Sequence, residues 1–249
     1  MKQYHFLCSI PRSGVTLLSS ILNQSKQLQV TPNSILPNIL INLLEIKNTV
    51  YFKNFPYHKG IDNIIEKLFN NYYNDINTKV ILDRAPWGTP FNLDLLKSIF
   101  KKRKFVILYR PPLECLASLI KSQNISKVSK DKIINFCEKE MNKFEGSIGK
   151  NIWSMRNIIK EKEEHIIIHY DDLINDTKNQ IKKIFKFLNL KQEKLDLKNI
   201  KQFKFGNMSY DDSMFDTPIH TIRANKIEKI NYNIEKYLPK SIIDKYKEY

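Results

Sequence analysis

Four short apolar runs frame the chain: 4–10 (YHFLCSI), 79–84 (KVILDR), 104–110 (KFVILYR) and 165–170 (HIIIHY). None alternates apolar and polar residues as a half-exposed strand does. Near-continuous apolar runs of this length are the pattern of strands covered on both faces of a parallel sheet. Between them, apolar residues recur at helical spacing. Residues 15–24 follow the first run directly. Residues 34–47 carry Pro37 where a first helical turn tolerates it, and residues 61–74 offer Asp62 as a cap. Residues 93–100 are helical in pattern, and Pro111 and Pro112 open a helix through LECLASLIKSQ. Residues 131–162 predict helix with a break near Gly146 and Gly149. Asp176 stands as the cap of the amphipathic TKNQIKKIFKFLNL. Residues 196–231 have no regular period, and PKSIIDKYKEY ends the sequence as a short helix.

Strands alternating with helices imply right-handed βαβ units. The class is therefore α/β, with a central parallel sheet and helices on both faces. The 249 residues contain no repeat, low-complexity segment or linker, so a single domain over 1–249 is expected. A chain of this length buries a core that needs neither a disulfide nor a metal to hold it. The three cysteines, Cys8, Cys115 and Cys137, each fall in an apolar run, with no CxxC and no zinc spacing. They read as buried free thiols.

The formal net charge is +15, from 41 Lys and Arg against 26 Asp and Glu. The basic residues are spread along the chain rather than gathered in a block, so no nucleic-acid partner is expected. A basic site for a small polyanion accounts for the charge equally well. No stretch reaches the length of a membrane span, and the N-terminus lacks the apolar core of a signal peptide. The expected location is cytoplasmic. Nothing in the sequence indicates an oligomeric state.

In parallel α/β sheets ligands bind at the carboxyl ends of the strands. Here those ends read Pro11-Arg12-Ser13-Gly14, Asp83-Arg84, Tyr109-Arg110 and Tyr170-Asp171, and three of the four carry an arginine. The first end has the form of a phosphate loop: strand, Gly-containing turn, helix start. Such a turn aims free backbone N–H groups at an anion. Gly14 permits the turn, Ser13 and Thr16 add hydroxyls, and Arg12 adds a planar cation. The GxxxxGK[ST] pattern of a nucleotide kinase is absent, and with it the phosphate-binding lysine and the magnesium-binding hydroxyl. Taken alone, the loop is equally readable as an ordinary capped βα turn. A second constellation is VILYRPPLECLASL. Arg110 ends a strand there, and Ser118 follows eight residues later, two turns into the next helix. The pair can clamp a second phosphate. Taken alone, it can also be a surface charge and a neutral helix residue.

Together, PRSGVTLL and ILYRPPLECLASL resemble the sulfotransferases that use 3′-phosphoadenosine 5′-phosphosulfate (PAPS). The small bacterial and phage types are the most similar, and the loop is like that of protein-tyrosine sulfotransferases. The resemblance implies a three-layer fold like that of the P-loop NTPases. It implies that Arg12, Ser13, Gly14, Val15, Thr16 and Leu17 grip the 5′-phosphosulfate, and that Arg110 and Ser118 grip the 3′-phosphate. KVILDRAPW lies where the family places a basic residue at the transferring group, here Arg84. IIIHYDDLINDTKNQIKKIFKFLNL places Tyr170 near the nucleotide. PIHTIRANKIEKI followed by YLPKSIIDKY resembles the family's C-terminal segment, where Arg223, with Lys226, would fold over the 3′-phosphate. The implied reaction is in-line transfer of a sulfuryl group from PAPS to an acceptor hydroxyl or amine, leaving adenosine 3′,5′-bisphosphate (PAP). No metal is required. The cations Arg12 and Arg84 and the loop amides would stabilise charge in the transition state.

A general base is less evident. Cytosolic-type relatives carry a His after the strand-end basic residue, but here the chain reads Arg84-Ala85-Pro86-Trp87. Protein-tyrosine sulfotransferases use a Glu after the first helix, where this chain has LQVTPNSIL. Asp83 is the carboxylate nearest the expected centre. It is either the base or a partner that orients Arg84 or a loop amide. His5 and His169 lie within strands and suit packing roles, while a site role is open to His220. Residues 33–78 and 124–160 fall between the nucleotide motifs and are the expected acceptor wall. The acceptor itself, whether small molecule, glycan, lipid or peptide, is not specified. Two other classes remain: a P-loop kinase or phosphotransferase, which magnesium dependence would reveal, and a non-catalytic module that binds nucleotide or nucleic acid.

Overall fold

A computed structural model describes residues 2–125, 128–213, 218–222 and 227–249. Five strands form one sheet in the order β2-β3-β1-β4-β5. They are β1 (Gln3–Ser9), β2 (Leu28–Asn33), β3 (Val80–Arg84), β4 (Phe105–Tyr109) and β5 (His165–His169). Every neighbouring pair is parallel, as βαβ crossovers require. The α/β expectation therefore holds, with one strand more than the apolar runs announce.

That additional strand is β2, within LQVTPN. It escapes a periodicity reading because Gln29 and Thr31 interrupt its apolar residues and Pro32 stands near its end. Proline removes a ladder donor, so it is tolerated at a sheet edge, and β2 is an edge strand. The pairing with β3 also slips between Val30 and Asn33.

Side-chain alternation along the strands divides the core into two layers. Tyr4, Phe6 and Cys8 of β1, Ile81 of β3 and Ile107 of β4 face one layer. Leu7, Val80, Leu82, Val106 and Leu108 face the other. The first layer is covered by α2 (Leu36–Glu45), α4 (His58–Tyr72), α5 (Pro90–Ile99), α6 (Pro112–Ser122), α7 (Lys130–Met141), α8 (Ser147–Lys160) and α12 (Lys240–Tyr246). The second is covered by α1 (Val15–Leu22), α9 (Tyr170–Asn175) and α10 (Thr177–Phe187). Two short helices complete the set, α3 (Val50–Asn54) between α2 and α4, and α11 (Ile234–Tyr237) before α12.

Most helices match their periodicity, and the break expected within 131–162 separates α7 from α8. Two caps differ. Asp62 lies inside α4, where its carboxylate pairs with Lys47 Nζ at 3.0 Å. Asp176 does occupy the N-cap of α10, but its side chain makes no capping bond and instead accepts from Asn179 Nδ2 at 2.9 Å. Residues 196–231 are irregular where described, apart from a Phe205–Met208 bridge. All three thiols are free and buried. Burial pushes Cys8 up to about 11 and Cys115 and Cys137 up to about 12, which leaves them protonated and inert at neutral pH. Among the described residues no helix is long and apolar enough to cross a membrane.

Candidate active site

The chain leaves β1 through Ile10 and Pro11 and turns sharply before α1. Arg12 (φ 69°) and Gly14 (φ 86°) both occupy the left-handed region. That conformation is strained for arginine, so its surroundings must hold it. Arg110 Nη1 does so by donating to the Arg12 carbonyl at 3.2 Å. Gly14 is required twice over: its φ suits glycine, and an added Cβ would sit 3.1 Å from the Tyr170 ring. No side chain caps α1. Its first amides have no intrahelical partners, and Val15, Thr16 and Leu17 line a cavity of about 190 Å³. Within the loop, Ser13 Oγ is buried with no hydrogen-bond partner among the described residues, and Ser13 is not among the residues lining the cavity. An uncapped helix start is suited to an anion.

The arginines at three strand ends converge on this cavity. Arg12, Arg84 and Arg110 all line it, together with Ser118 and Tyr170. Arg110, at the end of β4, is only 3% exposed. Its Nε bonds Glu114 one turn into α6 at 3.0 Å, its Nη2 bonds the Ile230 carbonyl at 2.7 Å, and its guanidinium lies 4.0 Å from the Tyr170 ring centre. These contacts spread its charge over fixed partners and orient the planar fork. Ser118 lies two turns into α6, accepts from Arg12 Nε at 3.1 Å and donates to Tyr232 Oη at 3.0 Å. Arg84 ends β3. Its backbone is pinned to β2 through Thr31 Oγ1 at 2.8 Å, and its Nη1 donates to Tyr210 Oη at 3.2 Å.

Asp83 behaves differently from its neighbour. Adjacent strand residues point to opposite faces, so Asp83 turns away from the cavity that Arg84 lines. It is fully buried. Trp87 Nε1 donates to Oδ1 at 2.7 Å, Ser34 Oγ donates to Oδ2 at 3.0 Å, and Tyr73 Oη also bonds Oδ2. Burial raises its pKa to about 6, although the three donors oppose the shift. Asp83 thus bonds residues flanking α2 and α4 and the turn after β3, and among the described residues no hydrogen bond joins it to Arg84 or to a loop amide.

The C-terminal segment singled out by the family resemblance also reaches the cavity, although no periodicity announces it. Residues 219–222 and 228–232 return over the cavity from the irregular segment, bringing Ile219, His220, Glu228, Ile230 and Tyr232. Arg12 Nη1 donates to the Ile219 carbonyl at 2.7 Å. The phenol of Tyr170 accepts from the Ile230 amide at 3.2 Å. Arg223 and Lys226 lie outside the described residues. His5 is buried in the sheet and held neutral, its pKa lowered to about 4 by burial, and His169 is exposed beside Tyr109. Neither lines the cavity. Of the aromatics in the expected acceptor wall, Tyr73 is core, whereas Tyr51 and Phe55 are exposed.

The arrangement gathers three guanidinium groups and an uncapped helix N-terminus at one cavity. The chain is similar in structure to the sulfotransferase domain from the curacin biosynthetic pathway, with a TM-score of 0.55, 17% identity, and coverage of 100% of this chain and 92% of that one. The sulfotransferase domain of the Synechococcus PCC 7002 olefin synthase matches with a TM-score of 0.54 and 17% identity, over 88% of this chain and 84% of that one. A mouse sulfotransferase complexed with PAP matches with a TM-score of 0.50 and 14% identity, over 78% of this chain and 61% of that one. These likenesses establish the fold. No curated protein matches the chain by sequence. The sulfotransferase-domain family model matches residues 2–249, so the chain belongs to the sulfotransferase family and is a sulfotransferase enzyme.

Proposed function

We propose that the protein transfers a sulfuryl group from PAPS to an acceptor hydroxyl or amine. The observation that carries this reading is the convergence of Arg12, Arg84 and Arg110 with the uncapped start of α1 on one cavity. A donor bearing phosphosulfate at one end and a 3′-phosphate at the other needs cations at two separated positions. The amides of Val15, Thr16 and Leu17, with Gly14, hold the 5′-phosphosulfate. Arg12 and Arg84 face the transferring group, where fixed cations stabilise developing charge most effectively. Arg110 and Ser118 hold the 3′-phosphate, and Tyr170 both braces Arg110 and packs against the loop. The loop has Val15 after its glycine, where a nucleotide kinase has lysine, and its cation is Arg12, two residues before Gly14. Calorimetric titration with PAP, with ATP as the control and without magnesium, tests the reading. Micromolar-range binding of PAP with much weaker ATP supports it, and preference for ATP sinks it.

A further inference from the structure

With Asp83 enclosed, the proposed reaction lacks a group to take the acceptor proton. The cavity itself contains one. His220 lines the same wall as Arg12 and Arg84, and its ring Nδ1 lies 2.6 Å from Asp212 Oδ1. The other carboxylate oxygen of Asp212 accepts the amides of Ile219 at 3.0 Å and His220 at 2.9 Å. Burial pushes the Asp212 pKa up, but bonds from the His220 side chain, the His220 amide and the Ile219 amide outweigh it and hold the carboxyl below its ordinary range. The His220 ring stacks on Tyr210, centroids 3.8 Å apart and planes 8° from parallel. Tyr210 in turn accepts from Arg84 and packs on Phe203. The segment is pinned further by Gln202, which exchanges two bonds with the Ile222 backbone at 2.8 Å each. One imidazole is thus fixed in plane by stacking and in rotation by a carboxylate, beside both cations assigned to the transferring group.

We propose that His220 is the general base of this enzyme and that Asp212 is its positioning residue. The inference rests on the sulfuryl-transfer reading above. It places the base on the returning C-terminal segment, far in sequence from the positions after β3 and α1 where a base was sought. With Nδ1–H donated to Asp212, the neutral ring carries its lone pair on Nε2. The acceptor oxygen forms a bond to sulfur while its proton passes to Nε2. The bond from sulfur to the bridging oxygen breaks, and that oxygen leaves with the electron pair as the 5′-phosphate of PAP. Asp212 stabilises the resulting imidazolium, which releases its proton to solvent. Among the described residues Glu228 is the carboxylate lining the cavity, and it is the rival base.

The test measures consumption of radiolabelled PAPS by the full chain, with phenol and with water as acceptors, alongside calorimetric PAP affinity. His220→Asn, whose amide can still donate to Asp212, is expected to lower kcat by about 10²- to 10³-fold with KM for PAPS and PAP affinity nearly unchanged. Asp212→Asn is expected to lower kcat by about tenfold, the loss of one charged partner. Added imidazole should partly restore His220→Gly. A loss of PAP affinity matching the loss of rate would make His220 a nucleotide contact and overturn the proposal. Wild-type rate in His220→Asn, or a loss confined to Glu228→Gln, would overturn it while the donor reading stands. Failure of the unmodified protein to bind PAP removes the donor reading and the base together. PAP binding without any PAPS consumption overturns the base alone.

Discussion

Arg12 Nε donates to Ser118 Oγ at 3.1 Å and so ties the loop after β1 to the second turn of α6. The two residues belong to subsites proposed for opposite ends of the nucleotide, and one guanidinium spans them. Arg12→Ala should therefore reduce PAPS turnover by about 10²-fold or more, the scale for losing one fixed donor at developing charge. Arg12→Lys keeps the charge but not the planar fork that bonds both Ser118 and the Ile219 carbonyl, and it should fall between wild type and Arg12→Ala. Steady-state PAPS consumption decides the matter, and an unaltered rate in Arg12→Ala would remove this residue from the mechanism.

Arg110 is held by Glu114, the Arg12 carbonyl, the Ile230 carbonyl and the face of Tyr170. Its assigned partner is the 3′-phosphate. Arg110→Ala should weaken PAP by about tenfold to a hundredfold, as expected for a charge-assisted bond worth ~1.5–3 kcal/mol, and adenosine 5′-phosphate far less. Parallel titrations of the two nucleotides measure the difference. Equal losses would show that Arg110 supports the loop and does not recognise the 3′-phosphate.

Gly14 and Gly206 both have positive φ, 86° and 56°, but only at Gly14 would a methyl group crowd an aromatic ring. Gly206→Ala should cost about 1 kcal/mol for the backbone alone. Gly14→Ala should cost more, about 2–3 kcal/mol, and should also impair PAP binding by displacing Tyr170 from Arg110. Urea unfolding of the two variants gives the comparison. Equal costs would show that the Tyr170 contact carries no energy.

Asp83 makes an unusual prediction about pH. Its folded pKa, about 6, lies above the ordinary carboxylate value. The folded state therefore binds the proton more tightly than the unfolded chain between about pH 4 and 6. The contribution to stability is full below the unfolded pKa and is lost as pH rises through the folded one. Near pH 7 this group should cost on the order of 2–3 kcal/mol relative to pH 4. Asp83→Asn keeps an acceptor for Trp87 and should flatten that slope while leaving PAP affinity and turnover intact. Denaturant melts from pH 4 to 7 with PAPS assays follow both consequences, and a loss of rate without loss of affinity would return Asp83 to the role of base.

Much of the scaffold could be read directly from residue pattern. β1, β3 and β4 were visible because strands buried on both faces must be apolar throughout, β5 because its isoleucines form an apolar run although it is a partly exposed edge strand, and α1, α6 and α10 because apolar residues recur at helical spacing. The arginines at strand ends followed from topology, since βαβ units bring the carboxyl ends of parallel strands to one edge. β2 was missed because an edge strand can include Pro32 and polar residues at no cost to a core.

Local pattern therefore specified the class of the fold and the sheet edge where three strand-end arginines gather, because strand and helix periods are set by near neighbours and βαβ connectivity brings like strand ends together. It could not assign faces within a strand end. Asp83 and Arg84 are adjacent and equally polar, and only the register of β3 against β1 and β2 turns one into the core and the other into the cavity. Nor could it place His220, Asp212 and Tyr232, which come from a segment without periodicity. The bond from Arg12 to the Ile219 carbonyl joins residues 207 positions apart. Such contacts leave no trace in local spacing, because they form only after the core has packed and the C-terminal segment returns across the finished sheet.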